Sequence, residues 1–263
     1  MCGISGIYNC SDGNINANKI IENIIKLQDK RGPDDRGMWQ STCKKTTFGH
    51  NRLSIIDLTD KARQPLVSKD NSLVITFNGE IYNYKEIRNE LSKNNILFKS
   101  NSDTEVILES YKCWGIEFVK KLRGMFAFAI WDNNKKKLLL ARDPFGIKPL
   151  YYFKKNNILF FASQVKSILS IDNISFEKSG RSVLDYYLWG NIREPLTLYK
   201  DIYSLERGTV KIFDSKLNEN SYEYANIKDA IHNSKKTNFK NESELNEKLN
   251  YLIRDTVNYH QVS

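Results

Sequence analysis

Short apolar runs bounded by Gly, Asn or Asp recur through this chain, and they limit it to folds built from short strands. The runs are rich in Ile, Val, Phe, Leu and Tyr and are predicted to be strands at residues 3–9, 52–58, 72–77, 125–131, 136–142 and 157–162. Asp132-Asn133-Asn134 lies between two of them and indicates a hairpin, hence antiparallel pairing. Helical spacing of apolar residues predicts helices over 16–29 and 103–114. This irregular alternation favours a layered α+β domain over a doubly wound sheet.

The second half of the chain contains a change in composition. At 263 residues the length suggests one domain and part of another. Residues 214–240 are polar and poor in periodic apolar residues, as a linker is, whereas 243–260 carry an apolar stripe at helical period. We therefore predict a domain at 2–213, a linker at 214–240, and the first helix of a second domain at 241–263.

Charge and composition bear on the class of partner. Lys and Arg total 40 against 31 Asp and Glu, a net charge of +9, but the basic residues are scattered. Nucleic-acid binding is therefore not expected, although a basic module with salt-dependent binding stays open as an alternative. The N-terminus lacks a leader pattern and no run reaches the ~18 apolar residues of a membrane span, so we expect a cytoplasmic protein with no membrane partner. Four cysteines are too few and too dispersed for a disulfide scaffold or a paired zinc site, and no metal is expected.

Cys2 is distinguished by its position. Its small side chain permits removal of Met1, after which thiol and α-amine belong to one residue. A free α-amine has a pKa near ~8, so part of it is unprotonated at neutral pH and can accept the thiol proton. The alternative is that Cys2 is an ordinary residue near the N-terminus.

Five segments in the first 152 residues decide between these readings. They are MCGISGI, RGPDDRG at 31–37, GHNRLSIIDL at 49–58, FNGEIYNY at 77–84 with SDTEV at 102–106, and ARDPFGIKPLYY at 141–152. Together they resemble the class II glutamine amidotransferases, and the RGPDDRG and NRLSIIDL forms resemble the asparagine-synthetase branch. The resemblance implies a four-layer αββα sandwich of the N-terminal-nucleophile hydrolases, and hydrolysis of L-glutamine to glutamate and ammonia.

The resemblance also assigns roles to residues. Cys2 is the nucleophile, and Asn78 and Gly79 form the oxyanion hole, although this pair read alone is a turn dipeptide. Arg52 is placed on the substrate α-carboxylate, and its alternative is a surface salt bridge. Asp103 and Glu80 are placed on the α-ammonium group, and Asp103 at a helix start could instead be an N-cap. The remaining substrate contacts that it implies are Leu53, Ile55 and Ile56. His50 is expected to be a core or loop histidine, because the N-terminal amine already supplies a base.

The resemblance stops at the end of the chain. Relatives continue into an ATP-pyrophosphatase domain opened by an SGGxDS loop, and neither this loop nor a GxxxxGK[ST] motif occurs here. We therefore expect no cofactor on this chain, with ATP and Mg only in the missing synthetase domain, which is a partner in cis or trans. Amidation of aspartate or a related acid belongs to the parent enzyme, and a homodimer is left open. A catalytically silent docking or regulatory domain is the alternative function.

Overall fold

Two six-stranded antiparallel sheets form the centre of the computed structural model, which describes residues 1–11, 13, 15–234, 239 and 241–261. In spatial order the first sheet contains β10 (Ile202–Ser204), β8 (Tyr151–Lys155), β9 (Ile158–Ala162), β1 (Gly3–Asn9), β3 (Thr46–Arg52) and β2 (Asp35–Gln40). The second contains β12 (Glu219–Glu223), β11 (Thr209–Phe213), β7 (Lys137–Arg142), β6 (Gly124–Asp132), β5 (Leu73–Ile81) and β4 (Leu66–Val67). The helices are α1 (Ala17–Leu27), α2 (Tyr84–Ser92), α3 (Asp103–Trp114), α4 (Val165–Leu169), α5 (Gly180–Trp189), α6 (Ile227–Ser234) and α7 (Glu242–His260).

Strand β6 shows why the sheets stack between helices. Its side chains alternate with a period of two residues, so Phe126 and Phe128 pack with α2 and α3, whereas Ala127 and Trp131 pack against the first sheet. On the outer face of the first sheet, a separate core cluster joins α1 and α4 to β1, β8 and β9. The layer order is therefore helix, sheet, sheet, helix, and the predicted four-layer αββα sandwich is confirmed.

Two sequence predictions on strands have opposite outcomes. The hairpin is confirmed, because β6 and β7 pair directly across Asp132–Lys137. The strand at 52–58 is wrong, since the strand is Thr46–Arg52 and the chain leaves the sheet at Leu53. Every residue of β3 is buried although most are polar or small, whereas Leu58 in the predicted strand is 74% exposed. The apolar residues that follow Arg52 therefore led to a predicted strand after this residue, whereas the observed strand precedes it.

The sheet continues into the segment predicted as a linker. Strand β12 pairs with β11 over its whole length, and Tyr222 and Tyr224 pack on the core beneath α3. Residues 235–238 and 240 of that segment, and 262–263 of the terminal segment, lie outside the described residues. The division of the chain into a domain at 2–213, a linker at 214–240 and a helix at 241–263 stays a prediction. The segment predicted as a linker contains strand β12 of the second sheet.

Helix α7 presents its apolar stripe to solvent. Leu245, Leu249, Leu252, Ile253 and Val257 are each between 44% and 53% exposed. Its last turns contact the sandwich, where Arg123 forms an ion pair with Asp255 at 2.7 Å and lies over the Tyr259 ring. Over the described residues, no helix combines the length and the apolar character needed to cross a bilayer.

Candidate active site

A cavity of about 240 Å³ lies where the starts of β1 and α3 meet the ends of β3 and β5. The structure brings all nine predicted site residues to its wall, namely Cys2, Arg52, Leu53, Ile55, Ile56, Asn78, Gly79, Glu80 and Asp103. Seven further residues line it, namely Met1, Ala62, Gln64, Phe77, Ser102, Thr104 and Lys148. Residues from both sheets and from α3 thus converge on one cavity, while their roles stay predictions.

Cys2 precedes β1 and is held by backbone contacts. The Leu53 N–H donates to its Sγ at 3.4 Å, the Sγ lies 3.6 Å from the Leu53 carbonyl oxygen, and Arg31 Nε donates to the Cys2 carbonyl at 3.0 Å. Burial raises the pKa of the Cys2 thiol, so the resting group is a neutral thiol that requires a base. Burial also lowers the pKa of the Met1 α-amine beside it, which increases the unprotonated fraction at neutral pH. Removal of Met1 would place the α-amine on Cys2 itself.

Asn78 and Gly79 lie inside β5, opposite Ala127 and Phe126, and do not form a turn. Asn78 is buried, and its Nδ2 has no hydrogen-bond partner among the described residues. A buried donor without a partner is costly, so it favours a ligand that supplies an acceptor oxygen. A Cβ at Gly79 would lie 2.2 Å from the Met125 carbonyl oxygen, which explains why the position holds glycine.

Arg52 is the last residue of β3 and is nearly buried. Its guanidinium donates to the carbonyl oxygens of Asp57 and Thr59, and in the described part of the chain it pairs with no carboxylate within 4.0 Å. The alternative reading of a surface salt bridge is therefore wrong. These backbone carbonyls hold the Arg52 guanidinium in place, and its remaining N–H groups are available to a carboxylate in the cavity.

Asp103 is the first residue of α3 but does not cap it. The cap is Ser102, whose Oγ accepts from the Glu105 N–H at 3.3 Å, whereas Asp103 Oδ2 accepts from the Ile81 N–H at 3.0 Å. Burial, with a smaller contribution from the charge of Glu80, raises the pKa of Asp103 to about 7. Two buried carboxylates in one cavity provide a site for a cationic group.

Sequence reasoning missed Lys148 and Gln64. Gln64 Oε1 accepts from the Phe77 N–H at 2.6 Å and its Nε2 donates to Thr104 Oγ1 at 3.3 Å, so it ties β5 to α3. No local sequence signal marks such a bridge. Lys148 lies in the ARDPFGIKPLYY segment, which contributed to the resemblance but to which no site residue was assigned. His50 is buried outside the cavity lining, with Nε2 at 3.1 Å from the Phe77 carbonyl oxygen and a pKa lowered to about 4 by burial, so it is the core histidine expected.

The four-layer sandwich with Cys2 at its cavity has the fold of the amidotransferases. In fold, the chain is similar to the glutamine phosphoribosylpyrophosphate amidotransferase from B. subtilis, with a TM-score of 0.63 at 20% identity over 85% of this chain and 49% of that chain. The family model described as "Glutamine amidotransferase domain" matches residues 1–243. The chain belongs to this glutamine amidotransferase domain family.

The proteins most similar in sequence that we compared include asparagine synthetases. The chain is 36% identical to asparagine synthetase [glutamine-hydrolyzing] 1 of Bacillus subtilis, over 100% of this chain and 40% of that protein. It is 39% identical to asparagine synthetase [glutamine-hydrolyzing] 2 of the same organism, over 79% of this chain and 28% of that protein. The chain therefore spans two fifths or less of the length of these relatives.

Proposed function

We propose that this chain hydrolyses L-glutamine to glutamate and ammonia through a glutamyl thioester on Cys2. The observation that carries the proposal is the convergence on one cavity of the Cys2 thiol and the buried, unpartnered Asn78 amide. Arg52 on one side and the carboxylates of Glu80 and Asp103 on the other match the zwitterionic head of a free amino acid.

The α-amine of mature Cys2 takes the thiol proton as Sγ attacks the carboxamide carbon. The oxygen of the tetrahedral intermediate then accepts hydrogen bonds from Asn78 Nδ2 and the Gly79 N–H. Collapse breaks the C–N bond, and the protonated amine returns its proton to the leaving nitrogen, which departs as ammonia. Water then attacks the thioester with the amine again as base, releasing glutamate and restoring the thiol.

The parent protein is proposed to be an asparagine-synthetase-like enzyme. Its synthetase domain, in cis or trans, would use this ammonia with ATP and Mg to amidate aspartate or a related acid. The greater length of the relatives supports a partner of that kind. The exposed apolar faces of α7 and α5 support it as well. On α5, Leu184, Tyr187, Leu188 and Trp189 are each at least 57% exposed. We propose a cytoplasmic location because all four cysteines are unpaired, and a homodimer is compatible with the same faces.

The test is glutamate release by the full chain after mass spectrometry has shown that Met1 is absent. We expect turnover by the wild type and none by Cys2→Ala, with Cys113→Ala as a matched control because Cys113 is exposed and lies outside the cavity lining. Release of glutamate by Cys2→Ala at the wild-type rate would refute the thioester route. A wild type that binds glutamine without turnover would favour the silent regulatory domain.

A further inference from the structure

Lys148 is held at the cavity by a rigid turn. The Asp143 carboxylate accepts backbone N–H bonds from Phe126 at 3.2 Å and from Phe145, Ile147 and Lys148 at 3.0 Å each. The Lys148 carbonyl oxygen in turn accepts from Arg142 Nε at 2.9 Å. This network fixes the backbone of Lys148, so its long side chain starts from one defined position beside the cavity.

Within the described part of the chain, the ammonium group of Lys148 has neither a hydrogen-bond partner nor an ion-pair partner. The residue is 7% exposed and lines the cavity together with Cys2 and Glu80. Over the described residues, its Nζ makes no hydrogen bond, and no ion pair within 4.0 Å involves it. A largely buried cation is retained at a cost unless a ligand or a developing negative charge compensates it.

We propose that Lys148 supplies positive charge to the nucleophile, where it stabilises the Cys2 thiolate and keeps the adjacent α-amine unprotonated. This inference rests on the proposed glutaminase function. Lys148 acts through Cys2 and not on the substrate head, which Arg52, Glu80 and Asp103 already match. A single cation serves both purposes because each step of thiol activation either creates a thiolate or requires a neutral amine.

The surrounding charges agree with this arrangement. Burial, Arg31 and Lys148 lower the pKa of the Met1 amine, while Cys2 and Asp34 raise it. Burial and the charge of Asp103 raise the pKa of the Cys2 thiol, whereas the Leu53 hydrogen bond, the N-terminal amine and Arg52 lower it. Burial lowers the pKa of Lys148 itself, the charges of Glu80, Cys2 and Asp143 raise it, and that of Arg31 lowers it.

The experiment measures the rate of Cys2 alkylation by iodoacetamide from pH 5.5 to 9.5 in the full chain without Met1. The Cys2 peptide is quantified by mass spectrometry, so the other three cysteines do not contribute. The variants are Lys148→Met, which removes the charge, and Lys148→Arg, which keeps it. Lys166→Met is the control, because Lys166 is exposed and lies outside the cavity lining.

We expect the midpoint of the Lys148→Met profile to rise by about one pH unit, while Lys148→Arg and Lys166→Met follow the wild type. The acid limb of glutaminase kcat should shift in the same direction, with the KM for glutamine within about twofold of the wild type. If Lys148→Met does not fold, Lys148→Gln removes the same charge and retains a polar head.

Two results would overturn the proposal. One is an alkylation profile of the charge-removing variant that matches the wild type. The other is a profile that shifts equally in Lys148→Arg and Lys148→Met, which would indicate packing and not charge. Because alkylation requires no glutamine, a wild type without glutaminase activity would refute the proposed function while the alkylation profile still decides the role of Lys148.

Discussion

Asp103 Oδ2, at the start of α3, accepts a hydrogen bond from the backbone N–H of Ile81, at the end of β5, over 3.0 Å. This bond joins helix to strand and holds the Asp103 carboxylate on the same cavity wall as Glu80. Because the fold buries this carboxylate, its pKa is raised from near 4 to about 7.

Glutamine binding should therefore depend on pH through Asp103. Below pH 7 the carboxyl is protonated in the empty cavity and must lose its proton to receive an ammonium group, so affinity should fall by up to about tenfold per pH unit. Calorimetric titration of the Cys2→Ala chain between pH 5.5 and 8 measures this, with Asp103→Asn as the weak, pH-independent control. A dissociation constant that stays level across this range would contradict the assignment.

Asn78 and Arg52 should have different kinetic signatures. Asn78→Ala removes a donor to the oxyanion and should lower kcat by about 10² to 10³ with little change in KM. Arg52→Ala removes a contact to the bound ground state and should mainly raise KM. Steady-state kinetics of both variants decide this, and losses confined to KM in both would refute the two roles.

Retention of Met1 should suppress activity even in a folded chain. The base is then an amine displaced by one residue, and Met1 itself lines the cavity. We expect at least a tenfold lower glutamate release from protein whose mass includes Met1, with circular dichroism to establish equal folding. Wild-type turnover by that form would eliminate the N-terminal amine as the base.

Helix α7 should be anchored most firmly at its C-terminal end. Amides at 243–253 are expected to exchange quickly in monomeric protein, and those near Asp255 and Tyr259 more slowly, because Arg123 contacts both side chains. Arg123→Ala should accelerate exchange at 255–260 alone, and Lys248→Ala is a control away from this contact. Protection of 243–253 equal to that of β6 would instead indicate that the whole helix packs on the sandwich.

Much of the fold was predictable where side-chain pattern and environment agree. Strand β1 and helix α3 were expected at the observed bounds, because β1 is an apolar run and α3 has both a Ser102-Asp103 start and helical spacing. The β2–β3 hairpin was missed because residues such as Thr47 and His50 are buried while polar, supported by cross-strand bonds that only the assembled sheet supplies. Strand β12 was missed because it is an exposed edge strand, where polarity resembles that of a linker.

The candidate site could be predicted from the resemblance of its motifs to a known family, but not from the local chemistry of its residues. Asn78-Gly79 has the composition of a turn, yet it lies in a strand, where the backbone of Met125 and Phe126 leaves no room for a Cβ at Gly79. Lys148 had no chemical role in the motif that contains it, and its place on the cavity wall becomes visible only in the folded chain. The approach of Met125 to Gly79 joins distant parts of the chain, so spacing along the sequence does not reveal it.

The proposed nucleophile and the proposed oxyanion donor belong to different sheets: Cys2 leads into β1, and Asn78 lies in β5. Neither sheet alone can assemble a working centre, so a folding intermediate with only one sheet formed is inactive by construction. During refolding, the recovery of glutaminase turnover therefore measures when the two sheets dock. If the sheets form before they dock, turnover should recover later than far-ultraviolet ellipticity.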